Sequence, residues 1–330
     1  MNSSPSRSRV IAVAAHEYRA AARNKLLVTL SAIMVAVTIA SVYIGSADYA
    51  SQLADYNAYR DAAITSGLGR IAPSPLAPLA LLRGAMEYLE IIGAVIAIAL
   101  GYLSVSRERT ARTLGLVRSR PITGSEHALG SLLGALGVFA TLVAATALTA
   151  IVCVGAIGND WISPGEWVQV LLTYLAALLY MTTFYGLGAI TTARSKVAAN
   201  GLMIALGVWL VVVLVLPQIG DTLDADNQVP GGLFSALGLG HDGEVSILAH
   251  FTGYERTRTF IENLSLSKHF ERFAFAMTDV KDRYRPYGLG QLLRTVWADI
   301  VWLIAAAAVI VTGVRRTFTN QPTTTKGTSQ

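Results

Sequence analysis

The chain has 330 residues, of which 53% are hydrophobic and 14% charged, with a formal net charge of +5. A soluble domain carries about 25% charged residues, so this composition reads as an integral membrane protein and excludes a disordered chain. The single cysteine, Cys153, excludes an intrachain disulfide and a thiolate metal cluster.

Residues 1–26 are polar and basic, and no small-residue cleavage site follows the first apolar run, which reads as an uncleaved anchor. A bilayer core needs about 20 mostly apolar residues in a helix. Six runs meet that need: 27–45, 85–105, 129–152, 167–190, 198–216 and 292–314. Between the first two runs, 46–84 carries Asp48, Asp55 and Asp61 and then Pro73, Pro75 and Pro78. The turns at 158–166 and 191–197 are tight. The long segment 217–291 opens with a loop over 221–232, where Asp, Asn, Pro and Gly cluster. Farther on, Ile247, Phe251, Tyr254, Phe260, Ile261 and Leu264 recur at helical spacing. That predicts a small cap of helices outside the membrane, with a plain spacer as the competing reading. The Thr-rich stretch 317–330 reads as a flexible tail.

Fifteen of the 26 basic residues fall in 1–26, 107–127, 191–197 and the stretch after 314, against only Glu17, Glu108 and Glu126. The bias of Lys and Arg toward the inner face puts both termini in the cytoplasm of a multi-pass plasma-membrane protein. Trp161, Trp167, Trp297, Tyr43 and Tyr88 then mark the outer ends of the spans. Because the charge follows the loops, it implies no nucleic-acid partner.

In the inner segment 107–127, Thr110, Leu114 and Val117 form one apolar stripe on an otherwise basic helix. Pro121 stops that helix, and Ser125 is placed to cap the next span. Such an element can lie on the membrane, fit the groove of a soluble partner, or serve only as a basic loop. The string Glu108 … Thr113-Leu114 … Ser119 … Pro121-Ile122-Thr123 resembles the coupling segment of ABC type-2 permeases. His16-Glu17-Tyr18-Arg19 … Arg23-Asn24-Lys25 is similar to the amphipathic helix that precedes span one in that family. Leu266-Ser267-Lys268-His269-Phe270 … Phe273 … Asp279 … Asp282 … Tyr284 resembles the outer segment of the branch containing the nitrous-oxide-reductase copper-maturation permease, although Ala276 stands where that branch often has Gly.

The resemblance implies an all-α, six-span permease domain over 27–316, the membrane subunit of an ATP-driven transporter. It would work as a homodimer or close heterodimer with a separate ATP-binding subunit. That subunit would hold ATP and Mg, so this chain needs no cofactor and has no catalytic residues. Glu108, Arg109, Thr113, Leu114 and Pro121 would dock it. No G-x-x-x-x-G-K-[ST] loop occurs; Lys326-Gly327-Thr328-Ser329 lacks the preceding glycine. An alternative is a non-transporting subunit that passes motion to an extracytoplasmic partner, such as a metalloenzyme maturation factor. A membrane enzyme is disfavoured, because no catalytic constellation is visible at membrane depth.

Ionisable residues at membrane depth are candidate functional groups. Glu87, Glu90 and Asp299 are expected to line an outer vestibule with Arg83 and Arg294 as counter-ions, or else to form structural ion pairs at the membrane edge. Gly130, Gly134 and Gly137 allow close helix packing within the subunit or between subunits. Pro217 is expected to end span five. No H-E-x-x-H occurs, and His241, Glu244 and His250 fit no standard zinc spacing, so they read as solvated. The six methionines are too scattered for a copper site.

Overall fold

The computed structural model describes residues 7–66, 77–110, 123–157, 161–223, 236–238, 243, 246–247, 249–281 and 284–319. All regular structure among them is helical. Six helices are long and apolar enough to cross a membrane: span one Lys25–Thr65, span two Pro78–Arg107, span three Gly124–Ala156, span four Pro164–Arg194, span five Ala198–Thr222 and span six Trp297–Phe318. An N-terminal helix, Arg7–Ala22, precedes them. Two 12-residue helices lie between spans five and six: a lateral helix, Thr252–Asn263, and a wedge helix, Leu266–Met277.

Contacts at the span ends give the bundle two distinct ends. At one, Glu17 of the N-terminal helix meets Arg107 of span two, and the His127 ring of span three meets Phe318 of span six edge-on at 5.4 Å. At the other, the wedge helix reaches Asp221 of span five and Asp299 of span six.

Spans two and four form the centre, with 72% and 67% of their apolar windows buried, whereas only 11% of span five is covered. Small residues let the two central backbones touch. A Cβ on Gly101 would collide with the Tyr185 carbonyl oxygen, and one on Gly188 with the Ile98 carbonyl oxygen. In lipid, where apolar surface is not driven out of water, such close packing is a main source of helix association. The N-terminal helix uses the same device. Gly130 faces Val13, Gly134 faces Ala14 and Glu17, and Gly137 faces Tyr18, so the glycine row of span three is occupied from within the chain.

Three local features depart from the sequence expectations. Thr123, not Ser125, caps span three: its hydroxyl accepts the Glu126 N–H (3.2 Å) while the Glu126 carboxylate accepts the Thr123 N–H (2.8 Å). The T-x-x-E spacing satisfies two orphan donors at once, which Ser125 cannot do. Span one continues as one helix of 41 residues, about 60 Å against a hydrocarbon core of about 30 Å. Pro217 does not end span five. The helix runs through it to Thr222, preceded by a wide π-turn over Leu210–Val215. Pro217 lacks the N–H that would close the π-type bond to the Val212 carbonyl. That oxygen is taken instead by the Ser265 hydroxyl at 2.6 Å, with Ser267 at 3.4 Å.

A second π-turn, Leu89–Gly93, interrupts span two, and the buried Tyr180 hydroxyl donates to its Glu90 carbonyl at 3.0 Å. Both irregular turns therefore have a freed backbone oxygen satisfied by a side chain, as membrane depth requires. The wedge helix is seated against these same regions. Its Phe270 is fully buried and stacks on Tyr180, and Phe273 and Met277 are buried with it.

Candidate functional site

The expected acidic residues are present at the wedge end, but the structure separates them into three environments. Glu87 pairs with Arg83 one helical turn away at 2.7 Å, and both side chains are largely exposed. Arg83 also sits over the Phe275 ring, 5.4 Å from its centroid. Glu90 lies in the π-turn of span two, buried beneath the wedge helix beside Ser267, Lys268 and Glu271. Asp299, in the first turn of span six, is buried under the same helix.

Arg294 is not the counter-ion of Asp299. It is exposed on a separate short helix, Leu289–Thr295, and Val296 breaks the helix between them. Asp299 is held instead by two residues of the wedge helix. His269 Nδ1 lies 2.7 Å from Asp299 Oδ1, and Arg272 donates to the same oxygen from Nε at 3.0 Å, with its Nη2 2.9 Å from that oxygen in the ion pair. The other ring nitrogen, Nε2, donates to the Asn263 carbonyl oxygen at 3.1 Å, since that oxygen can only accept. Trp302 stacks on the imidazole with ring centroids 5.3 Å apart. Arg272 extends the cluster to the lateral helix through Asn263 Oδ1 at 2.8 Å and Glu262 at 3.6 Å.

On its other flank the wedge helix presents Lys268, whose ammonium is 2.9 Å from Asp221 of span five and 2.8 Å from Glu271. Burial opposes its charge, yet Glu271 and Asp221 together hold the group above the ordinary lysine range. The sequence marked this stretch only by resemblance. Its pairing was not legible, because Asp221, Asp299 and Glu90 stand in three other elements.

At the opposite end, Glu17 is buried and accepts from Arg107 Nη2 at 2.7 Å and from the Ser104 hydroxyl at 3.2 Å. Arg9 approaches Glu126 at 3.8 Å, and the Tyr18 and Thr141 hydroxyls are 3.1 Å apart. The N-terminal helix is thus fixed to the last turns of span two and to the start of span three, the two points between which 107–127 is strung. Thr113, Leu114 and Pro121 lie outside the described residues, and Glu108 and Arg109 are described as helix backbone alone. His241 and Glu244 also lie outside them, while His250 is exposed with Nδ1 2.9 Å from the Ser246 carbonyl oxygen. Among the described residues, no cluster of His, Cys, Asp or Glu has the arrangement of a metal site.

Residues 11–321 match the sequence profile of a family described as ABC-2 family transporter protein. The chain belongs to the ABC-2 transporter family. The match spans all six membrane helices and the lateral and wedge helices between the last two. No curated protein matches the chain. As a member of this family, it is a multi-pass membrane component of a transporter.

One residue of the ABC-2 chain's wedge end carries an avoidable cost. Asp279 follows the wedge helix with φ of 52°, and the Val280 N–H returns to the Phe275 carbonyl at 3.1 Å, as in a Schellman cap. Burial, and then repulsion from Glu166, raise its carboxyl above the ordinary aspartate range, with Arg285 offsetting part of this. The folded state therefore disfavours the charged form. The penalty is present at neutral pH and vanishes once the carboxyl is protonated in both states. Asp279→Asn keeps a side chain tolerant of positive φ and removes the charge. Its melting temperature is expected to exceed the parent's by about 1–2 °C at pH 7, and the gain to fade as pH falls through the carboxylate range. A gain that grows toward acid pH would contradict the assignment.

Proposed function

We propose that this chain is the permease subunit of an ATP-driven transporter, with both termini in the cytoplasm and ATP hydrolysed, with Mg, by a separate subunit docked on 107–127. The observation that carries this reading is the family match over residues 11–321 on a chain with six spans. Lys and Arg concentrate at the end where the N-terminal helix sits, which supports placing that end inside. Exposed Trp161, Trp167 and Trp297 at the wedge end support an outer interface there. In this reading Glu108, Arg109, Thr113, Leu114 and Pro121 meet the ATPase, and a second permease copy completes the unit. Movement of 107–127 passes into span two directly and into span three through the N-terminal helix, because Glu17 joins Arg107 while its helix lies on the glycine row.

Purification in mild detergent should recover a soluble ATPase in roughly equal amount. Leu114→Asp should reduce that recovery at least about tenfold while leaving membrane insertion intact, since it puts a charge into an apolar contact. Undiminished copurification would overturn the docking assignment, and absence of any ATPase across several detergents would overturn the permease reading.

A second reading is favoured by the wedge end: a subunit that transmits ATPase motion to an extracytoplasmic protein, as in the metalloenzyme-maturation branch. Its support is the direct attachment of the wedge helix to spans five and six, which gives the 217–291 segment a mechanical link to the bundle. Recovery of an outer protein with the complex would favour it over export of a small molecule.

A further inference from the structure

A groove of about 420 Å³ opens on the flank of the bundle between span one and span three, closed at one end by the N-terminal helix. Val28 and Val35 stand on one wall, and Val138 and Leu142 on the other. The space exists because its remaining walls are built from short side chains, among them Ala21, Ala22, Ala32 and Ala145. Its two rim hydroxyls are already spent: Thr141 donates to the Gly137 carbonyl at 2.9 Å, and the Tyr18 hydroxyl lies 3.1 Å from Thr141. The walls therefore offer an occupant mostly carbon.

The mouth is different. Lys25, Val28, Ala32 and Val35 fall at i, i+3, i+7 and i+10, so Lys25 continues the span-one wall out of the groove. Arg23 directly follows Ala22, and Arg19 stands one helical turn before it. All three cations are exposed. The carboxylates near them are engaged elsewhere, Glu17 with Arg107 and Glu126 with Arg9 and the Thr123 N–H. Among the described residues, Arg19, Arg23 and Lys25 form no ion pair. Because span one starts at Lys25, the cations sit at headgroup level and the groove runs from them into the hydrocarbon. An apolar slot parallel to the spans, with three unneutralised cations at its mouth, has the polarity of an amphiphile with an anionic head. A second copy of the chain fits poorly, since this end of the protein is itself basic and its Glu17 and Glu126 are taken.

We propose that this groove is a binding site for an anionic phospholipid, with one acyl chain between spans one and three and the phosphate on Arg23 and Lys25. The bound lipid would fill the gap between span one and the pair formed by the N-terminal helix and span three. The test uses the full chain without any ATPase, so its outcome is separate from the permease reading. The protein is reconstituted in phosphatidylcholine vesicles holding a trace of phosphatidylglycerol or of phosphatidylcholine, each with the same photoactivatable diazirine acyl chain. Crosslinked peptides are then mapped by mass spectrometry. Phosphatidylglycerol should label 28–35 and 138–145 at least about fivefold more than phosphatidylcholine, as expected for an anionic head on two or more basic side chains. Arg23→Gln/Lys25→Gln should abolish that preference, whereas Arg194→Gln/Lys196→Gln, a charge-matched exposed pair at the same end, should keep it. Ala145→Leu, which fills the slot, should lower labelling of both walls while the protein elutes like the parent. Equal labelling by the two probes would mean bulk lipid only and would overturn the site. Protection of both walls from both probes would also overturn it, and would indicate cover by a second copy or another protein.

Discussion

Asp299→Ala is expected to lower the stability of the folded chain by about 3–5 kcal/mol, the range for removing one member of a buried ion pair. The carboxylate side chain is 10% exposed and its partners His269 and Arg272 are 3% and 26% exposed, so solvent cannot readily replace it. Arg272 cannot shed its proton and would be left as a poorly compensated charge inside the wedge end. Asp299→Asn retains an acceptor and the volume, so a smaller loss is expected. The comparison that isolates burial is Glu87→Ala, which removes an exposed pair worth at most about 1 kcal/mol. Thermal unfolding in detergent, followed by size-exclusion fluorescence, should show Asp299→Ala melting about 5 °C or more below the parent and Glu87→Ala close to it. Equal melting of Asp299→Ala and the parent would mean that the cluster contributes little to holding the wedge helix.

Gly188→Leu should be more disruptive still, because it acts on backbone. The new Cβ would meet the Ile98 carbonyl oxygen and lie 3.0 Å from Ile98 Cα, and main-chain atoms cannot rotate aside. Spans two and four would have to move apart along their most buried faces, losing the dispersion contacts that association in lipid depends on. Overpacking a core typically costs about 1–3 kcal/mol, and here no rotamer relieves it, so the cost should reach or exceed the upper figure. Gly101→Leu should behave the same way against Tyr185 and Ala189. Gly207→Leu is the control, since a Cβ there meets nothing within 4 Å. The expected readout is membrane-inserted but aggregated protein for Gly188→Leu and a monodisperse peak for Gly207→Leu. A Gly188→Leu protein that elutes and melts like the parent would refute the close approach of these two helices.

The contrast between the glycines shows what the sequence makes visible. Gly130 and Gly134 stand at a spacing that announces a helix contact, whereas Gly101 in span two and Gly188 in span four belong to no G-x-x-x-G pair and gain meaning only from the facing helix. The six spans were legible for a plain reason: the bilayer demands a length of apolar chain, and composition alone satisfies or fails that demand. Helix ends were less legible. Span one passes the edge of its apolar run because nothing between Ser46 and Thr65 breaks a helix, and Pro217 is tolerated because Ser265, far along the chain, takes the oxygen it frees. The wedge helix, at 12 residues, is too short to register as a span. His269, the centre of its cluster, was marked only by the resemblance of its stretch, because a histidine in a polar outer segment looks solvated until the fold buries it. The expected vestibule grouped Glu87, Glu90 and Asp299 with Arg83 and Arg294 as counter-ions; in the fold Arg83 meets Glu87, whereas Val296 turns Arg294 away from Asp299.

The wedge helix also constrains how the bundle can move. Lys268 grips span five through Asp221, and three and four positions later along the helix Glu271 and Arg272 continue toward Lys268 itself and toward Asp299 of span six. A twelve-residue rod with a hydrogen-bonded backbone does not stretch, so the tips of spans five and six are riveted to a common strut. Sliding one tip past the other by more than a hydrogen-bond length would break one of the two joints. The inexpensive displacement is for both tips to swing together, with the strut carried along. A stroke that reaches the tips of spans five and six arrives there as one hinged plate and not as two independent rods.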